Sequence, residues 1–214
     1  MMFVLKNVRY HTILDIDNLV IHEGVITSFI GHSGSGKTTI LRMLCKLTTP
    51  TEGIITYNGE PLTQIDSIKH RQSVVMLSQK PHLFPGTIED NLIKGLTYHQ
   101  KTINKGDLDA MLAYVNLNKP LTDDASILSG GEAQRLALAR VLLLDAKVYL
   151  MDEPSSALDD DSEQFIIEKI VEFVKEKQKT LVMVTHNKTI AKQYSDHIIS
   201  IENGHVKAGV QDGK

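Results

Sequence analysis

Apolar positions along this chain fall into short unbroken runs separated by longer stretches at helical spacing. The runs are Val25-Ile26-Thr27-Ser28-Phe29-Ile30, Ser73-Val74-Val75-Met76-Leu77, Lys147-Val148-Tyr149-Leu150-Met151 and Thr180 to Val184. Each has the length of a strand and predicts one buried on both faces. Between them, Thr39 to Cys45, Ala133 to Leu144 and the segment from Asp159-Asp160-Asp161 to about Lys177 carry apolar residues one helical turn apart. In the last of these Ile166, Ile170, Val171, Phe173 and Val174 share a face, and the leading acids suit the positive end of a helix dipole. Strands alternating with helices predict an α/β fold.

The flanks are less regular. Phe3 to Tyr10 and Leu19 to His22 read as two short strands joined by a loop holding His11, Asp15, Asp17 and Asn18. Gly53 to Tyr57 reads as a further strand ending at Asn58-Gly59, and Lys188 to Tyr194 as a short helix. His197 to Ile201 and His205 to Lys207 predict a hairpin around Asn203-Gly204, and the tail from Gly209 is expected to be loose. From Pro81 to about Ile127 the apolar period weakens. Pro81, Pro85 and Gly86 mark a loop, Thr87 with Asp90 makes a capping-box-like start for a helix through Leu92, and Asp107 to Val115 predicts another helix. This stretch reads as a small helical subdomain inserted between sheet strands; with the helix that follows, it spans about residues 81–145.

Composition narrows the classes without deciding among them. At 214 residues, 42% hydrophobic and 23% charged, the chain suffices for one full α/β domain with such an insertion. A net charge of −3 gives no support to a nucleic-acid-binding surface. The single cysteine, Cys45, excludes an intrachain disulfide and fits a reducing compartment; on the apolar face of its helix it reads as a small buried hydrophobe. The run Leu136 to Leu144 is broken by Arg140, and the N-terminus lacks the regions of a signal peptide. The expectation is a cytoplasmic protein.

Chemistry enters at Gly31-His32-Ser33-Gly34-Ser35-Gly36-Lys37-Thr38, which fits the phosphate-loop pattern G-x-x-x-x-G-K-[ST] between a predicted strand and a predicted helix that begins at Thr39. Glycines let the backbone wrap a triphosphate and aim several N–H groups inward, and the helix offers its positive dipole end. Lys37 would reach the β- and γ-phosphates of a nucleotide, and the Thr38 hydroxyl would ligate Mg²⁺. The buried run Val148 to Met151 delivers Asp152 and Glu153 to the carboxyl end of a strand, where ligands bind in open α/β sheets. Asp152 would hold Mg²⁺ and Glu153 would polarise the attacking water.

With those residues in place, Leu128-Ser129-Gly130-Gly131-Glu132-Ala133-Gln134-Arg135 resembles the signature motif of the ATP-binding subunits of ABC (ATP-binding cassette) transporters, with Glu132 where that family commonly has glutamine. Other motifs follow in the family's order from about residue 3 to 207. Tyr10 resembles its adenine-stacking aromatic residue and Gln79 its Q-loop glutamine. Ser156-Ala157-Leu158-Asp159 resembles its D-loop, and His186 its switch histidine. The resemblance implies a phosphate-loop ATPase core with a parallel sheet, an N-terminal antiparallel β subdomain and an inserted helical subdomain, all within one cassette over 1–214. It implies ATP and Mg²⁺ as ligands, with Gln79 touching both the metal and the attacking water and His186 contacting the γ-phosphate. It also implies a head-to-tail dimer in which Ser129, Gly130, Gly131 and Glu132 cap the ATP held by the other subunit. Partners would be transmembrane permease subunits, docked in part on Pro81 to Thr87, which would hold the chain at the inner face of the membrane. The chromosome-maintenance ATPases that share this head carry a long coiled-coil insertion; here the insertion is short and not heptad-like. Phe84-Pro85-Gly86-Thr87-Ile88-Glu89-Asp90-Asn91-Leu92 resembles exporter-type cassettes, which suggests export of a metal or another small solute.

Overall fold

The computed structural model describes residues 1–99, 102–207 and 211–212. Five strands form the parallel part of the main sheet: β3 (Ile26–Ile30), β6 (Val74–Leu77), β7 (Val148–Asp152), β8 (Thr180–Val184) and β9 (His197–Glu202). Their order across the sheet is β9-β3-β8-β7-β6, and β10 (His205–Val206) and β11 (Gln211–Asp212) pair antiparallel with β9. A second, antiparallel sheet contains β1 (Phe3–Tyr10), β2 (Leu14–Ile21), β4 (Glu52–Tyr57) and β5 (Glu60–Pro61) in the order β2-β1-β4-β5. The expected turns at Asn58-Gly59 and Asn203-Gly204 are present, with positive φ at all four residues (51° and 85°, 49° and 82°), the geometry that matches the twist of a two-residue hairpin.

The unbroken apolar runs have a direct cause: the main sheet is covered on both faces. Tyr149, Met151, Leu181 and Met183 point into one core, shared with the helices α3 (Ile88–Tyr98), α4 (Lys105–Tyr114), α5 (Gly130–Leu143) and α6 (Asp160–Glu176). Val148, Leu150, Val182 and Val184 point into the other, shared with α1 (Lys37–Leu44) and with Phe3, Leu5, Val8 and Ile16 of the antiparallel sheet. Residues alternate between cores along each strand, so both parities must be apolar. Cys45 lies in the second core, 3% exposed, and burial pushes its thiol up to about 11, which makes it a packing residue.

Besides α3 running to Tyr98 past the expected end at Leu92, and a short strand β5 that the pattern does not show, the structure departs from the pattern-based expectation at three larger places. Strand β2 begins at Leu14, and so takes in Asp15, Asp17 and Asn18; the two acids face outward, where Arg9 meets Asp15 at 2.6 Å and Asp17 at 2.8 Å. A helix, α2 (Ser67–Ser73), precedes β6, started by the Asp66 carboxylate accepting from the N–H groups of Ile68 and Lys69. In the tail, Gln211–Asp212 pair with β9, and the remaining residues from Gly209 onward lie outside the described set. The last helix, α7 (Lys188–Tyr194), is where its apolar spacing put it. Among the described residues no helix is long and apolar enough to cross a membrane.

Candidate functional site

Parallel pairing brings the carboxyl ends of four strands level. Leu77 lies beside Met151, Asp152 beside Val184, and Phe29 beside Val184. The chain therefore leaves β3 into Gly31 to Gly36, β6 into Ser78-Gln79, β7 into Glu153 and β8 into Thr185-His186 at one edge of the sheet. These loops enclose a cavity of about 340 Å³ lined by Ser33 to Thr39, Ile13, Gln79, Glu153 and His186.

The phosphate loop is shaped for close approach. Gly36 has φ 102° as the residue before α1, and a Cβ there would run into the Leu14 side chain; at Gly31, φ 147°, it would collide with the Ile201 carbonyl. Lys37 is 5% exposed and its Nζ donates to the carbonyls of Gly31 (2.9 Å) and His32 (2.7 Å) and to Ser35 Oγ (3.3 Å). Burial lowers its pKa, while Glu153 and Asp152 act the other way. The ammonium is thus held in the loop by neutral oxygens, a placement suited to meeting an anion. His32 Nδ1 lies 2.8 Å from the Ser33 carbonyl and its Nε2 3.1 Å from Asn203 Oδ1, which ties the loop to the β9–β10 turn.

Two adjacent carboxylates point in different directions. Asp152, 3% exposed, accepts from Thr38 Oγ1 at 3.1 Å; burial pushes its carboxyl up, against the pull of that hydroxyl. Glu153 has φ 48°, left-handed for a residue with a side chain, and its N–H donates to the Val184 carbonyl at 3.1 Å. That turn swings its carboxylate toward the cavity. There Oε2 accepts from Gln79 Nε2 at 2.7 Å, and Oε1 lies 2.7 Å from His186 Nε2. Gln79, Glu153 and His186 come from three loops, and the structure brings them together.

The signature residues lie elsewhere. Ser129 caps α5 in a full capping box: its Oγ accepts from Glu132 N–H at 3.4 Å, and Glu132 Oε2 accepts from Ser129 N–H at 2.9 Å. Lys119 stands 3.3 Å from the other Glu132 oxygen, and the Ser129 N–H first, then Lys119, hold the carboxyl below the usual range. Ser129 and Gly130 are exposed, and none of the four signature residues lines the phosphate-loop cavity. Gly131 packs against Leu158, next to Asp159, which caps α6 by accepting from Ser162 N–H at 3.0 Å. Tyr10 also stands apart from the cavity lining: its hydroxyl accepts from Thr48 Oγ1 at 3.2 Å and its ring meets His11 edge-on.

Some residues near the site went unremarked in the sequence. Ile13, 41% exposed in the β1–β2 turn, lines the cavity beside the phosphate loop; a lone apolar residue in a polar turn was its only signal. Gln134, part of the signature stretch but without a role there, is 1% exposed, donates to the Pro154 carbonyl at 2.9 Å and so links α5 to the segment after Glu153. Glu163 accepts from Ser155 Oγ at 2.8 Å and Asn187 Nδ2 at 3.3 Å, bracing the turns that follow Glu153 and His186. Glu163 has no sequence signature of its own.

A family model described as ABC transporter matches residues 14–156. The chain is 39% identical over 190 residues to Protein STAR1 of Oryza sativa subsp. japonica, covering 88% of this chain and 55% of that protein. It is 36% identical over 217 residues to the L-cystine import ATP-binding protein TcyN of Bacillus subtilis, covering 95% and 83%. With the transport/processing ATP-binding protein ComA of Streptococcus pneumoniae it shares 35% identity over 92% of its own length and 28% of ComA's. The chain therefore spans about half of STAR1 and about a quarter of ComA. Among solved structures, the ATP-binding cassette MJ0796, a dimer in a post-hydrolysis state bound to ADP and Pi, superposes with a TM-score of 0.88 at 27% identity, covering 100% of this chain and 99% of that one. Fold, family match and relatives agree: the chain belongs to the ABC transporter family, as one of its ATP-binding cassettes.

Proposed function

We propose that this chain hydrolyses Mg-ATP as the ATPase subunit of an ABC transporter, in a head-to-tail pair with a second cassette, and passes the resulting motion to separate membrane subunits. The observation that carries the hydrolytic part is the grip on Glu153. Both its oxygens are engaged, by Gln79 and His186, above the phosphate loop and one residue past Asp152. A carboxylate so oriented accepts the proton of a water lying between it and a γ-phosphate. Lys37 and the loop N–H groups bear on the phosphate charge, and His186, 47% exposed at the cavity rim, would reach the γ-phosphate by giving up its contact with Glu153. Thr38 Oγ1 and Asp152 Oδ1, two hard oxygens 3.1 Å apart, fit Mg²⁺, with Gln79 as a third donor when the triphosphate is bound. The metal, when bound, supplies charge neutralisation on the phosphate oxygens.

The pairing rests on the position of the signature. Ser129, Gly130 and Gly131 present the N-terminus of α5, a helix of 14 residues, at the surface and outside the phosphate-loop cavity. The Gly130 and Gly131 N–H groups suit an anion that one chain's own phosphate loop does not bring to them, and a second copy placed head to tail does. Asp159, capping the next helix beside Gly131, would lie at the same junction, and Tyr10 would stack on the adenine at the other end of the nucleotide. The helical subdomain, about residues 81–145, carries the signature as one unit. Its groove beside Gln79 presents Phe84, 39% exposed, with Arg140 5.0 Å and Lys94 5.7 Å above the ring, and Tyr98 at 71% exposure. This apolar and basic surface suits a membrane subunit and would keep the chain at the inner membrane face. Export of a metal or another small solute is the reading of the Phe84–Leu92 segment, and its direction alone is supported by likeness to a bacterial Atm1-family exporter with ATP bound (TM-score 0.87, 25% identity); the cystine importer among the relatives points to import.

Glu153→Gln tests the hydrolytic reading. Phosphate release should fall by about 10²- to 10⁴-fold, the range of general-base catalysis, with ATP affinity retained. Wild-type turnover would remove Glu153 as the base.

A further inference from the structure

An acidic side chain in a motif that faces a triphosphate is electrostatically adverse, because like charges at short range raise each other's energy. Glu132 is such a residue, and its carboxylate is turned back: one oxygen accepts from the Ser129 N–H at 2.9 Å and the other lies 3.3 Å from Lys119 Nζ. Lys119 is not placed there by chance flexibility of a loop. It lies between Leu117 and Leu121, which are 2% and 9% exposed and pin the segment after α4 to the core, and its own N–H donates to the Leu117 carbonyl at 3.0 Å. We infer that Lys119 is a positioning residue for ATP-driven pairing. It neutralises Glu132 and keeps that carboxylate folded back onto the Ser129 N–H, so that the Gly130 and Gly131 N–H groups, and not an uncompensated negative charge, meet the nucleotide of the second copy. The inference rests on the head-to-tail reading above. The pair is half-buried, with side chains 34% and 23% exposed, and partly screened by solvent, so it adds modestly to fold stability.

The test is a double-mutant cycle in the full chain carrying Glu153→Gln, where ATP-bound pairs accumulate. The quantity read is the ATP concentration giving half-maximal dimer by sedimentation. Lys119→Ala should raise it about fivefold, the order expected of one uncovered charge screened by salt near a triphosphate. In a Glu132→Gln background the same substitution should change it less than about twofold, and Lys119→Arg should behave as the parent. An equal rise in both backgrounds would mean that Lys119 acts on the phosphate or on the fold directly, and no rise in either would mean that it has no part; both overturn the inference. Gly131→Asp separates this from the pairing itself. Loss of the ATP-dependent dimer in that variant together with a neutral Lys119→Ala sinks only the role of Lys119. A Gly131→Asp chain that still pairs on ATP removes the head-to-tail reading and the inference with it.

Discussion

At Asp152 the needs of the fold and of the proposed site pull in opposite directions. The side chain is 3% exposed and its pKa is raised, chiefly by burial, so the ionised form is less favourable in the folded chain than in the unfolded one. For a carboxylate with a raised folded pKa, ionisation at neutral pH subtracts stability, and removal of the charge gives it back. Asp152→Asn should therefore raise the melting temperature of the nucleotide-free protein by a few degrees. It should also shrink the further rise that Mg-ATP produces, because a ligand stabilises in proportion to its binding. Differential scanning fluorimetry with and without Mg-ATP reads both; a lowered melting temperature in the nucleotide-free variant would contradict the burial argument. Asp152 and Thr38 were legible in the sequence because each sits at a fixed offset from a strand or a phosphate loop. The grip on Glu153 was not. It depends on a left-handed backbone at Glu153 and on three loops ending level, and neither leaves a mark in the local pattern.

Among the described helices all but α1 begin on a side-chain cap, and acids take part in five of these seven starts. Asp66 starts α2, Asp124 the 3-10 turn at Ala125–Ile127 and Asp159 α6, while Asp90 and Glu132 complete capping boxes on α3 and α5. In each, bonds from backbone N–H groups lead the causes that hold the carboxyl below its ordinary range. A depressed folded pKa contributes stability that is fully present above the unfolded value and is lost as pH falls through the folded one. The melting temperature should accordingly drop below about pH 4, where ordinary carboxylates begin to protonate. A profile flat to pH 3 would contradict it. The same caps account for what the sequence revealed of the helices. Thr87 with Asp90 announced α3, whereas Asp66 stands before a segment, Ser67-Ile68-Lys69-His70-Arg71-Gln72-Ser73, with too few apolar residues to show a helical period. Strand β2 shows only its second half in the sequence pattern for a related reason. Its buried positions run Leu14, Ile16, then Leu19 and Ile21, and the step across Asp17-Asn18 breaks the alternation that marks a strand.

As a whole the molecule is a two-faced body. One edge of the main sheet gathers the phosphate loop, Gln79, Glu153 and His186, while the start of α5 presents the signature outside that cavity. Sequence order exposed both halves, since each motif is local; that they do not meet within one chain is a property of the folded surface. On the head-to-tail reading two such bodies complete each other around ATP. That reading is tested most directly by the mass of the Glu153→Gln protein in analytical ultracentrifugation, with and without Mg-ATP, because a chain that binds but does not hydrolyse holds the closed state. A monomer is expected without nucleotide and a dimer with it, the dimer being lost when Gly131→Asp is added. A Glu153→Gln chain that stays monomeric while saturated with ATP would contradict it.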